Sequence, residues 1–429
     1  MKCTYECGSA EHTVARRQFL GGLAAGAGMF IGGLDTFATP AAVAQMTRDQ
    51  KRLIIVRMHG GLSQLESWDP KPNTDTGGPF RAIPTSVPGI HISELLPYTA
   101  KQMHHLALVR GINTKNDDHG KGTYMMLTGR HPTPGQTFPE LGAVVARAMD
   151  NSALTLPGHI NIANGGSGGR NNDAAYLGPK YASISLGGAQ PPAYTTRPAN
   201  LTEQTVQQQD EFRRKANDRF AGRRRTAETD AYVQSFEQAQ ELVRQRDVFD
   251  LSKEPQKDHE RYGTHEFGKH CLLARRLVEK GVTCVQVSHS NYDTHNENFE
   301  FHFEQLGEFD RPFATLVGDL AERGLLQHTM IVVLSEFGRT PRINQYYGRD
   351  HWGHAFSVCM GGAGLQRGAV VGKTNANGTA VTERQVDAGH LFHTYLRALG
   401  LNSRHHFNIG GQKQPMADPA FAAIDELIA

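Results

Sequence analysis

Five short apolar runs, each stopped by glycine or polar residues, constrain the fold of this 429-residue chain more than any other feature. They cover residues 53–58, 106–109, 282–287, 330–334 and 356–360, and their length and flanking turn residues predict buried strands. Helical patterns lie between several of them. Residues 265–280 carry Leu272, Leu273, Leu277 and Val278 on one face and stop at Gly281, and residues 299–323 stop at Gly324. Strands alternating with helices predict an α/β fold, a mostly parallel central sheet with helices on both faces. One segment, residues 158–250, breaks the alternation. Its first part, to about residue 200, is rich in Gly, Pro and Asn and predicts an irregular insertion. Residues 201–246 are polar, rich in Gln, Glu and Arg, and predict a helical pair carried outside the sheet.

The N-terminus carries an export signal. Arg16-Arg17-Gln18-Phe19-Leu20 is a twin-arginine pattern, residues 19–34 are uncharged and rich in Gly and Ala, and Ala42-Val43-Ala44 is a small-x-small cleavage site. The apolar run is too short and glycine-diluted to span a bilayer, which takes about 18 strongly apolar residues. Residues 1–44 therefore read as a twin-arginine signal peptide, with an ordinary secretory signal as the alternative. Residues 45–429 read as the exported domain, periplasmic or secreted. A twin-arginine route carries folded cargo, so a cofactor can be loaded before export.

Composition excludes several partners. Removal of residues 1–44 takes away three basic and three acidic groups, so the net charge stays at +2. That balance gives no electrostatic case for nucleic acid or an anionic membrane. Cys271, Cys284 and Cys359 remain in the mature chain, too few for a disulfide scaffold.

In an open parallel sheet, ligands bind beyond the carboxyl ends of the strands. The residues after each predicted strand are therefore the candidates. His59-Gly60-Gly61 follow the first run and Asp117-Asp118-His119 the second. His289, Asp293 and His295 follow the third, and Ser335-Glu336-Phe337-Gly338-Arg339 the fourth, with Asp350-His351-Trp352-Gly353-His354 soon after. Each group alone reads equally well as a polar surface loop, since the chain has 21 histidines. Together they place carboxylates and imidazoles at four strand ends on one edge, a mixture suited to a zinc- or manganese-type hydrolytic site. Glu336, abutting an apolar strand, needs a metal or a cation such as Arg339.

Six stretches carry a family resemblance: residues 59–64 (HGGLSQ), 124–132 (YMMLTGRHP), 272–281 (LLARRLVEKG), 292–295 (YDTH), 335–341 (SEFGRTP) and 348–352 (GRDHW). In these the chain resembles the bacterial "domain of unknown function 1501" proteins, which belong with the alkaline phosphatase/sulfatase superfamily. The resemblance implies a central sheet with helices on both sides and a metal-dependent site acting on phosphate or sulfate esters. It implies metal ligation by Asp293 and His295, with Glu336, Asp350, His351 and His354 as further candidates. The metal is divalent: zinc, manganese or calcium. It places His59 at the first-strand ligand position. Leu127-Thr128-Gly129-Arg130 resembles the segment that follows the sulfatase nucleophile, and counting back from it reaches His119 rather than Cys, Ser or Thr. Formylglycine chemistry is thereby excluded, and Thr114 and Thr123 are the nearest hydroxyls.

Two classes of function follow. In the first, the chain is an exported metal-dependent hydrolase of phosphate or sulfate esters, small or on extracellular polysaccharide. His59 and His119 then act as acid/base groups or further ligands, and Arg130 and Arg339 bind the anionic group. In the second, it is a non-enzymatic exported binding or assembly protein that reuses the fold.

Overall fold

The computed structural model describes residues 50–150, 156–165, 171–192, 195–196, 200–222 and 227–429, so the signal peptide expected at 1–44 lies outside the described residues. Within the unit Thr47–Ala429, eight strands form the central sheet. They are Arg52–Met58 (β1), Leu106–Ile112 (β2), His159–Ile162 (β3), Ile184–Leu186 (β4), Cys284–His289 (β5), Thr329–Leu334 (β6), Phe356–Gly362 (β7) and Val370–Val371 (β8). Their order across the sheet is β8-β2-β7-β6-β1-β5-β3-β4. β1 lies between β5 and β6 and is parallel to both, with Leu53 opposite Cys284 and Arg57 opposite Leu334. Of the described strands in this sheet, β7 alone runs antiparallel, against β6 on one side and β2 on the other.

The residues of β1 show why the sheet is covered twice. Ile54, Val56 and Met58 enter one core, while Leu53 and Ile55 enter the other, and all five are at most 1% exposed. Each such side chain stabilises the fold by about 1.5–3 kcal/mol relative to exposure. Five helices matter for the site: His119–Thr128 (α1), Leu141–Ala148 (α2), Glu266–Glu279 (α3), Asn298–Glu322 (α4) and Ala388–Ala398 (α5). α3 and α4 pack into the first core through Leu272, Leu273, Leu277, Phe309, Phe313 and Leu316. α1, α2 and α5 fill the second through residues such as Met125, Val144, Phe392 and Tyr395. The result is a helix–sheet–helix sandwich, mostly parallel.

Part of the stretch expected to be irregular belongs to the sheet. Ile160 and Ile162 of β3 and Ile184 and Leu186 of β4 lie in the first core. Strands of three and four residues are too short to show a period in sequence. Helices Glu203–Ala221 and Ala227–Arg244 follow.

The reversal of β7 shapes the site. A strand antiparallel to β6 must be entered from the edge where β6 ends. Residues 335–355 therefore stay along the carboxyl edge and form a small ribbon there, Gly338–Arg339 with His351–Trp352, in which His351 pairs with Arg339. Residues that precede β7 thus share an edge with those that follow β1, β2, β5 and β6.

Candidate functional site

Close backbone approach builds the floor. Beyond β1 the chain turns at Gly60, whose φ is +110°. A Cβ there would lie 2.4 Å from the backbone nitrogen of Asp293, a distance no side chain tolerates, so glycine is required. The loop after β5 is tied to the same turn. The His59 amide donates to the His289 carbonyl at 2.8 Å, and the Tyr292 amide to the His59 carbonyl at 3.1 Å. Asp293 and His295 are thereby held above the end of β1.

Three donor atoms converge on one point. His295 Nε2 and His351 Nε2 are 3.0 Å apart. Asp293 Oδ1 lies 3.1 Å from each of them. Ligands about 2.1 Å from a shared ion stand about 3.0 Å apart at adjacent octahedral positions and about 3.4 Å apart in a tetrahedron. The observed spacing therefore fits a common cation.

The tautomers sharpen this. His295 Nδ1 is 2.8 Å from Asp350 Oδ1, and His351 Nδ1 is 2.7 Å from the Asp117 carbonyl oxygen. Carboxylate and carbonyl oxygens are acceptors, so in the neutral imidazoles both Nδ1 atoms carry the proton. Both Nε2 atoms then present lone pairs to each other and to a carboxylate oxygen, an arrangement that a cation between them satisfies. Acceptors behind metal-binding histidines are the usual means of fixing ring and tautomer.

Asp293 is ionised. Burial works to raise its carboxyl, but the Arg339 guanidinium, 2.5 Å from Oδ1, and then the neighbouring histidines outweigh burial and hold it at about 2. Arg339 itself is fully buried. It also donates to the Gly60, Gly61 and Arg349 carbonyls. It fixes Asp293 from below and presents no surface to a substrate, unlike the anion-binding role expected for it.

His119 is the first residue of α1, whose cap is the Asp118 side chain accepting from the Lys121 amide. Its Nδ1 is 2.8 Å from Glu336 Oε1, and its Nε2 is 3.4 Å from Asp293 Oδ2. Glu336 is only 4% exposed. The Gly60 amide also donates to Oε1, at 2.9 Å, and the Ser335 hydroxyl bonds Oε2 at 3.2 Å. His119, Asp293 and His351 each offer an atom within 4.8 Å of the others, a group that could hold a metal ion.

The edge thus brings together His119, Asp293, His295, His351, Glu336, Asp350 and Arg339. Glu336 and Asp350 stand behind histidines rather than at the shared point. Three other expected residues take no part in these contacts. His59 has its Nε2 3.4 Å from Ser288 Oγ, and burial, aided by Arg57, lowers its pKa to about 4, so the ring is neutral at physiological pH. His354 is exposed, its ring beside Trp352. Arg130 lies past the far end of the ten-residue α1, about 15 Å along the helix. There it donates to the Pro415 carbonyl and stacks over Phe138. Sequence reasoning missed the Asp117 carbonyl and Asn344, because backbone acceptors and loop organisers leave no residue signature. It also missed Phe337, which stacks on His351 with ring centroids 4.4 Å apart.

Fold and site define an α/β protein with an imidazole–carboxylate cluster at the carboxyl edge of its central sheet. The chain belongs to the family described as "Protein of unknown function (DUF1501)", whose model matches residues 50–428. No curated protein matches it. Among solved structures it is similar to the lipoteichoic acid synthase LtaP from Listeria monocytogenes, at 8% identity over 86% of this chain and 75% of that one, with a TM-score of 0.36. It is similar to the PsFucS1 sulfatase from Pseudoalteromonas sp., at 13% identity over 90% and 75%, with a TM-score of 0.39. It is also similar to an alkaline phosphatase from the Antarctic bacterium TAB5, at 11% identity over 82% and 99%, with a TM-score of 0.35. Similarities of this degree leave the chemistry to the site itself.

Proposed function

We propose that the protein is an exported, metal-dependent hydrolase of phosphate or sulfate esters, with Asp293, His295 and His351 as metal ligands. The observation that carries this reading is the meeting of two imidazole nitrogens and a carboxylate oxygen within 3.1 Å of one another. The donor set of two nitrogens and one oxygen suits zinc or manganese better than calcium, which takes oxygen ligands. A divalent ion held by Asp293, His295 and His351 would supply Lewis-acid chemistry, polarising an ester oxygen and lowering the pKa of water.

The remaining residues fit such a site. Glu336 holds the Nδ1 proton of His119, which leaves Nε2 facing the centre to accept a proton from water. The N-terminus of α1 at the same place favours an anionic group. No cysteine lies between residues 45 and 270, and this reading takes water as the nucleophile, which needs no protein hydroxyl. The choice of phosphate or sulfate rests on the sequence resemblance to the superfamily, and export rests on residues 1–44. No helix among the described residues is long and apolar enough to cross a membrane.

Elemental analysis and an ester panel test the proposal together. The mature protein, dialysed against zinc or manganese, is expected to retain about one ion per chain and to hydrolyse p-nitrophenyl phosphate or p-nitrophenyl sulfate. Absence of metal after that dialysis would leave the non-enzymatic binding or assembly protein as the better reading.

A further inference from the structure

Next to the metal centre, the loop between the two ribbon strands presents aromatic rings to solvent on a fixed backbone. Tyr346 is 62% exposed and Tyr347 is 73% exposed. Asn344 Oδ1 accepts from the Tyr346 and Gly348 amides at 2.9 and 3.0 Å, and its Nδ2 donates to the His295 carbonyl at 2.8 Å. The Tyr346 and Tyr347 carbonyls in turn accept from the Glu297 and Asn298 amides at the start of α4, each at 3.0 Å. Tyr347 takes a left-handed conformation, φ 56°, to complete the turn. A turn this well tied has no need of two exposed tyrosines for its own stability.

A cleft of about 650 Å³ opens beside this turn, lined by His295 and Asp350 of the centre and by Arg342, Gln345 and Tyr346. Its volume lies in the range that holds a ligand of drug size, far more than a lone phosphate or sulfate group fills. The Arg342 guanidinium is exposed and has no carboxylate partner among the described residues. The cleft therefore offers an aromatic ring, the Gln345 amide and the Arg342 guanidinium beside His295 and Asp350. An aromatic face receives the C–H face of a sugar ring, an amide reads hydroxyls, and a guanidinium binds an oxyanion with two parallel hydrogen bonds.

We propose that this cleft is a subsite for an anionic oligosaccharide, with Tyr346 as the ring platform and Arg342 as the anion ligand; the proposal rests on the hydrolase reading and names its substrate class. The ester at the metal centre is then one of several anionic groups along the same glycan.

Calorimetric titration of the mature protein with tetrasaccharides of chondroitin sulfate and heparin, each paired with its desulfated counterpart, tests the subsite. At least one sulfated probe is expected to bind tenfold or more tightly than its desulfated form. Arg342→Ala and Tyr346→Ala are each expected to weaken that binding at least tenfold. Arg342→Lys should recover only part of it, because an ammonium cannot form the fork. Tyr98→Ala, at an exposed tyrosine of the helix Pro97–Gln102, should bind as the parent does. Failure of every probe to bind, or equal binding by parent and variants, overturns the subsite. Turnover of p-nitrophenyl esters by the parent is measured alongside. Binding without turnover removes the hydrolase reading and keeps the subsite, and turnover without binding does the reverse.

Discussion

His295 Nε2 and His351 Nε2 face each other across 3.0 Å although 56 positions separate the two residues in the chain. Neither ring can turn away freely, because Asp350 and the Asp117 carbonyl hold them from behind. The reversal of β7 creates the meeting, since it keeps residues 335–355 at the edge where β5 and β6 end.

The acceptor behind His295 is open to test. Asp350→Ala leaves all three ligand atoms in place but frees the His295 ring to rotate and change tautomer. Metal affinity is expected to fall by about 10–100-fold, as for other outer-shell partners of ligating histidines. Competition with a chromogenic chelator reads this directly.

His119 is expected to separate chemistry from metal binding. His119→Ala should lower kcat by about 10²–10⁴, the usual worth of a positioned general base, while metal content stays near that of the parent. Glu336→Gln should lower kcat less, because the amide oxygen can still accept from Nδ1. Loss of metal in His119→Ala would make this residue a ligand instead.

Gly348 supports the site through the backbone. A Cβ at this position would lie 1.8 Å from the His295 carbonyl oxygen, so the two loops must part. Gly348→Ala is expected to cost about 1–3 kcal/mol of stability, the usual range for overpacking, and to lower metal occupancy with it. Thermal unfolding with and without added zinc shows both effects.

Glu140 gives a pH signature away from the candidate site. Burial first, and then the Asp173 carboxylate, raise its pKa from 4.5 to about 7, against a smaller opposing effect of Arg57. The folded chain thus holds a proton that the unfolded chain has released. The stabilising contribution is complete below about pH 4.5 and is lost as pH rises through about 7, a change on the order of 3 kcal/mol. Glu140→Gln should therefore gain stability relative to the parent between pH 5 and 8. Urea midpoints for the two proteins across that range measure it.

The legible parts of this molecule were those with a period or a long apolar run. β1, β2, β5, β6 and β7 each contain or overlap one of the five apolar runs, and α3 and α4 follow amphipathic patterns that end at Gly281 and Gly324. β3 and β4 were hidden because strands of four and three residues are too short to show a pattern. At the site, the sequence pointed to Asp293, His295 and His351 through their positions near strand ends. It could not rank them against His59 and His354, because a side chain's direction depends on loop geometry. Arg339 and Arg130 carry the same charge in sequence, yet one is buried beneath Asp293 and the other packs on Phe138.

One divalent ion is expected between Asp293, His295 and His351. Crystals of the mature protein grown with zinc, with anomalous data collected on both sides of the metal's absorption edge, test it directly. A single strong peak is expected about 2.1 Å from Asp293 Oδ1 and from both Nε2 atoms. Two imidazoles still 3.0 Å apart with no peak between them would mean a shared proton in place of a metal, and would overturn the metal centre.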